Sequence, residues 1–189
     1  MKTDELKKIT ELYKIAESIA PRLPYHNLDH MTQVAGICER YALMEKIDKR
    51  HIPALKTAGL LHDIVYVPGR KDNEEKSVEI ARKILPEIGY SSEEVESVSR
   101  LILATKVPTN PKDILEKIIC DSDVDNFGRD DFFEKTELLR IEFDVDKKAW
   151  YTETTPNIMN HIRYYTESAK KRRKAKLKEN IEKLRRLKW

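Results

Sequence analysis

Residues 53–66 read PALKTAGLLHDIVY. Pro53 suits the first turn of a helix, where its missing N–H costs nothing. Leu55, Ala58, Leu61 and Ile64 follow at helical spacing. His62 and Asp63 sit at the end of this otherwise apolar run. The stretch therefore predicts a core helix whose inner end carries an imidazole and a carboxylate. Burying that pair without a partner is costly, and a divalent cation would satisfy both groups. Neighbouring helix residues point about 100° apart, so two of them share one ion most easily at a helix terminus. The competing reading is a His–Asp pair exposed at a helix end.

The same periodicity extends in both directions. Leu6, Ile9, Leu12, Ile15 and Ile19 predict a first helix that Pro21 stops. Asn27 is placed to N-cap a second helix with the apolar face Met31, Val34, Ile37, Cys38 and Tyr41. Beyond the turn at Pro68 and Gly69, Asp72 or Asn73 opens a fourth helix through Val78, Ala81, Ile84 and Leu85, ended by Pro86. Ser91 and Glu94 read as a capping box for a fifth helix with Val95, Val98, Leu101 and Ile102. A sixth carries Ile114, Leu115, Ile118 and Ile119, and DSDVDN (residues 121–126) reads as a polar break after it. Helical stretches follow around Phe133–Ile141 and from Pro156 onward, the latter running through Tyr165 into the C-terminal tail. There Leu177, Ile181 and Leu184 keep an apolar stripe.

The composition agrees. With 189 residues, only 5 Gly and 37% charged residues, the chain reads as a single-domain, all-α helical bundle. Cys38 and Cys120 lie far apart in apolar runs. They read as buried, reduced thiols, which suits a reducing compartment. The charged, amphipathic N-terminus has no apolar signal core and no stretch is long enough to span a bilayer, so a cytoplasmic location is expected. The net charge of +3 hides an asymmetry: residues 170–189 hold eleven Lys or Arg against two Glu. We expect a helical domain over 1–169 and a basic helical tail over 170–189. Such a tail is either a solvated helix face or a contact for nucleic acid or an anionic membrane surface.

Two further segments carry candidate chemistry. His26 and His30 are four residues apart across the expected start of the second helix, where both rings can converge on one spot. After the sixth helix come Asp121, Asp123 and Asp125. They do not form a calcium loop, which needs Gly where Asn126 stands and Glu where Phe132 stands. Either one of them supplies a carboxylate to a shared site, or the cluster caps the following turn. His161 reads as a satisfied helix histidine or a support for the site, and His51 as a surface residue.

In the order His, His-Asp, Asp, on three separate apolar helices, this set resembles the HD-domain superfamily of metal-dependent phosphohydrolases. The run Tyr25-His26-Asn27 is similar to the corresponding stretch of cyclic-nucleotide phosphodiesterases. HDIVYVP (62–68) followed by DNEE (72–75) and Ser77 is similar to small bacterial HD phosphohydrolases. The resemblance spans about Tyr25 to Tyr165. It implies metal ligation by His30, His62, Asp63 and Asp123, the last because the family has a small residue and then Asp; Asp121 is the fallback. It implies that His26 protonates the leaving group. Glu74 and Glu75 fall where related enzymes orient water or hold a second metal, although two first-turn carboxylates belong there on electrostatic grounds alone.

The sequence departs from the phosphodiesterases in lacking their additional histidines. Tyr66 and Val67 follow the central pair, and Lys106-Val107-Pro108 stands where another histidine often appears, so one tightly held metal is expected. Two imidazoles and two carboxylates suit Mn, Fe, Co, Ni or Zn, and Mg less well. Such an ion activates water and polarises a phosphoryl oxygen, and Lys106 or Arg70 would neutralise the phosphate. The expected activity is phosphomono- or phosphodiester hydrolysis on a nucleotide or related small phosphorylated molecule. The alternative is a non-catalytic HD module that binds a nucleotide or partner with a regulatory metal.

Overall fold

The computed structural model describes the backbone of residues 3–187 and the side chains of residues 7–187. The side chain of Leu6 and the last two residues of the basic tail lie outside the described residues. Among the described residues the chain is helical with no β-strand.

The main core is built by α1 (Thr3–Ile19), α2 (Leu28–Met44), α3 (Ile52–Leu61), α4 (Asn73–Glu87), α5 (Ser92–Ala104) and α6 (Ile114–Asp123), α4 packing against α5. α3 is the central rod and touches α1, α2, α5 and α6. Its Leu55, Ala58, Leu60 and Leu61 are wholly buried. A Cβ on Gly59 would come within 2.9 Å of both Cα and N of Ala35 in α2. Only glycine lets the two backbones cross so closely. The crossing lies within about a turn and a half of both His30 and His62.

Several expectations are borne out. Asn27 caps α2, its side chain accepting from His30 N–H at 3.1 Å. Ser91 and Glu94 form the reciprocal capping box of α5. Others are corrected. α3 ends at Leu61, so Ile64 packs into the core from the turn beyond it. α4 continues past Pro86 to Glu87. Neither Asp72 nor Asn73 caps it with a side chain. The buried Asn73 instead turns back, accepting from Val67 N–H at 3.0 Å and donating to Val67 O at 3.1 Å, and so ties down the 67–70 turn. Ile19 ends up exposed.

Residues 121–123 are not a break, because α6 runs through Asp123. Nor does the late helix run on into the tail. After α7 (Phe132–Glu142), the turn α8 (Lys147–Ala149) and a π-helical turn over Trp150–Thr154, α9 (Thr155–His161) stops. α10 (Glu167–Arg186) then starts afresh with Thr166 as its cap. The cause is Asp121, whose carboxylate captures the N–H groups of Tyr165 and Thr166 that a continuous helix would use internally.

A second apolar cluster joins Tyr25, Phe127, Phe132, Leu139, Trp150, Tyr151 and Met159 to Leu184 of α10. Ala169 and Asn180 of α10 are buried as well. Several of its cations pair with acidic groups: Arg173 with Asp125, Lys176 with Asp130, and Lys183 with Glu179. Among the described residues no helix is long and apolar enough to cross a membrane.

Candidate metal centre

Three helix ends meet at one point. The first turn of α2 supplies His30. His62 caps the C-terminus of α3 and Asp63 follows it in the turn. The last residue of α6 is Asp123. One ligand atom from each lies within 4.8 Å of all the others. His62 Nε2 stands 2.9 Å from Asp63 Oδ2 and 3.2 Å from Asp123 Oδ1. His30 Nε2 stands 3.5 Å and 3.3 Å from the same two oxygens. Donors about 2.1 Å from one cation sit about 3 Å apart when adjacent, so these spacings fit a shared ion.

The donor chemistry fits too. Both Nε2 atoms are buried, and neither has a hydrogen-bond partner among the described residues despite the nearby carboxylates. The approaches are close but not aligned as hydrogen bonds. His62 Nδ1 donates to Gly59 O at 2.9 Å, which fixes the tautomer and leaves the Nε2 lone pair for a ligand. A cation held by both nitrogens would supply the aligned partner that each lacks. Without an ion, burial works against charge on His62, but the Asp63 and Asp123 carboxylates outweigh it and hold its pKa well above the usual 6.5.

Asp123, not Asp121, joins this group. Two positions apart on a helix means about 200° of rotation, so the two carboxylates point to different neighbours. Asp121 faces α10.

His26 lies beside the group, its ring centroid 5.7 Å from that of His30. Its Nδ1 is held by the Glu142 carboxylate at the end of α7. The other Glu142 oxygen accepts the N–H groups of Tyr25 and His26, each at 2.9 Å. Tyr66 stacks on the His26 ring with centroids 3.5 Å apart. Tyr25 packs on His30 at 4.6 Å. Sequence reading missed Glu142 entirely and noted Tyr66 only as the residue standing where relatives have histidine. No local pattern marks Glu142, because its role depends on a contact across the fold.

The remaining candidates are more peripheral. Glu74 is partly buried. Burial raises its pKa above the usual 4.5, and the charges of Asp63 and Glu75 add to the rise. Glu75 is paired with Lys106. Arg70 is exposed and pairs with Asp72 at 3.0 Å. His161 is exposed and bonded to Asn157 O at 2.7 Å, a satisfied helix histidine. His51 is partly exposed in a short turn. A small polar pocket beside His30 and Asp123 is lined by Gln33, Asn126, Arg129 and Lys135. Both amide atoms of the buried Asn126 lack a partner among the described residues.

The HD-domain family model matches residues 27–126, more than half of the chain, and its span contains all four converging residues. The chain belongs to the HD-domain family. The HD fold extends beyond that span: a structure of Bacillus subtilis YpgQ in complex with ADP superposes with a TM-score of 0.71 at 16% identity, covering 93% of each chain. At that identity the likeness speaks for the fold. No curated protein matches the sequence significantly. HD domains are generally metal-dependent phosphohydrolases, and the His/Asp group here suits a divalent ion.

Proposed function

We propose that this HD-domain protein is a metal-dependent phosphomono- or phosphodiesterase acting on a nucleotide or a related small phosphorylated molecule. The observation that carries the reading is the convergence of two buried imidazole nitrogens, neither with an aligned hydrogen bond, and two carboxylates beside a separately held histidine. His30, His62, Asp63 and Asp123 would hold a divalent cation, which when bound supplies Lewis acidity toward water and phosphate.

The chain's own groups do the rest. With Nδ1 engaged by Glu142, His26 presents Nε2 as its free nitrogen and donates a proton from it to the leaving oxygen. Tyr66, stacked on one face of the ring, restricts its rotation. Glu74, half-buried and near enough to Asp63 to feel its charge, orients water on the Asp63 side. Lys106 exchanges its Glu75 partner for a substrate phosphate, and Arg70 adds a second cation at the rim. The nucleotide preference draws on YpgQ, which binds ADP.

A panel of nucleotides and phosphate esters, incubated with the full chain and Mn, tests the reading. Release of phosphate or nucleotide that chelator abolishes supports it. Saturable nucleotide binding with no turnover of any ester supports the alternative of a regulatory binding module.

A further inference from the structure

The segment carrying Asp123 is anchored on both sides by α10. Before it, the wholly buried Asp121 accepts the N–H groups of Tyr165 at 2.7 Å and Thr166 at 2.8 Å, and the Thr166 hydroxyl at 2.7 Å. Thr166 is the cap of α10. After it, Asp125, only 1% exposed, accepts two bonds from Arg173, at 2.7 Å from Nε and 2.8 Å from Nη2. Tyr41 of α2 donates to the same carboxylate. Farther on, Asn180 donates to Phe127 O at 3.0 Å and Arg129 O at 2.9 Å. A Cβ on Gly128 would lie 2.8 Å from Arg173 O, so the helix backbone rests directly on this segment.

No side chain of α10 belongs to the four-residue group. We propose that Arg173 is a positioning residue for the metal centre: its two-pronged bond to Asp125 holds the 123–125 turn so that Asp123 Oδ1 faces both Nε2 atoms. This rests on the metal-centre reading above. The physical case is the environment of Asp125. A carboxylate that deeply buried is tolerable only while paired, and truncating its partner leaves an uncompensated charge. The turn relieves it by carrying Asp125 toward water, and Asp123 is two residues away. Lysine at 173 would keep the charge but not the paired planar donors. The basic helix is thus part of the site's scaffold, whatever its outward face contacts.

The test titrates Mn alone into the full chain, with circular dichroism as the check on folding. Arg173→Gln should keep its helical signal and bind Mn roughly tenfold or more weakly. Arg173→Lys should recover part of the loss, and Lys174→Gln, an exposed cation one residue on, should match the wild type. A folded Arg173→Gln chain that binds Mn as tightly as the wild type overturns the proposal. If Arg173→Gln does not fold, Arg173→Lys, which keeps the charge but not the paired donors, is judged alone: Mn binding as tight as wild type overturns the proposal. If the wild type binds no Mn, the metal-centre reading fails separately. The imidazole resonances of His30 and His62 in metal-free protein then decide: they should move in Arg173→Gln and not in Lys174→Gln, and unchanged resonances overturn the positioning role.

Discussion

Glu142 accepts a hydrogen bond from Nδ1 of His26 across 116 residues of chain. Its carboxylate also accepts the backbone N–H groups of Tyr25 and His26, so one buried side chain fixes both the ring and the stretch of backbone that bears it. Removing it should release His26 without touching the four converging residues. Glu142→Ala is expected to lower kcat about ten- to a hundredfold while Mn affinity stays near the wild-type value. Equal losses in both would show that Glu142 supports the whole centre rather than the histidine.

The same carboxyl gives a pH prediction. Burial pushes its pKa up, but the hydrogen bonds from His26 Nδ1 and from the two amides outweigh that and bring it below the usual 4.5. A depressed folded-state pKa contributes stability that is present above the unfolded value and lost as pH falls through the folded one. Urea unfolding should therefore find Glu142→Gln less stable than wild type at neutral pH. The gap should narrow below about pH 4.5. A gap that is constant across that range would contradict the assignment.

Asp63→Ala and Asp123→Ala should each abolish Mn binding and turnover. His161→Ala, whose ring is exposed and bonded only to its own helix, should alter neither. The clearest readout is thermal. Ligand at a hundred times its Kd stabilises a protein by about 2.7 kcal/mol. Saturating Mn should raise the Tm of the wild type and of His161→Ala, but not of the two aspartate variants.

Two glycines should respond in opposite directions. Gly59→Ala puts a Cβ against the α2 backbone at 2.9 Å and should cost about 1–3 kcal/mol. Gly36 sits exposed within α2 with nothing within 4 Å of an added Cβ. Gly36→Ala should stabilise by up to about 1 kcal/mol. Denaturant midpoints decide, and equal signs would refute the close crossing of α2 and α3.

Neither cysteine should react quickly with a thiol reagent in the native protein. Burial pushes the Cys38 thiol up to about 12 and raises that of Cys120 as well. Two equivalents should appear only on unfolding. Prompt labelling of the folded chain would mean that one of the two helices is open to solvent.

Much of the core was legible from spacing alone. In α2, α3, α5 and α6, apolar side chains recur every three or four residues because one helix face must leave water, and local chemistry such as the Ser91–Glu94 box marks where helices start. Two of the failures share a cause. Residues 121–123 look like a break, since aspartate is a weak helix former that favours caps and turns, yet Asp121 is buried in a helix because Tyr165 and Thr166 satisfy it from far along the chain. The same capture ended the helix that the pattern carried on into the tail.

The order of residues was enough for the helical architecture and for the three segments, around His30, His62–Asp63 and Asp123, that carry the HD pattern; each is written in neighbours a few residues apart. It took the folded chain to turn Asp121 and Asp125 toward α10, to set Glu142 on His26, to stack Tyr66 on that ring, and to point Arg173 of the basic tail inward. Those outcomes rest on hydrogen bonds and ring contacts between distant parts of the chain, whose partners are chosen by packing and leave no periodic trace in the order of residues.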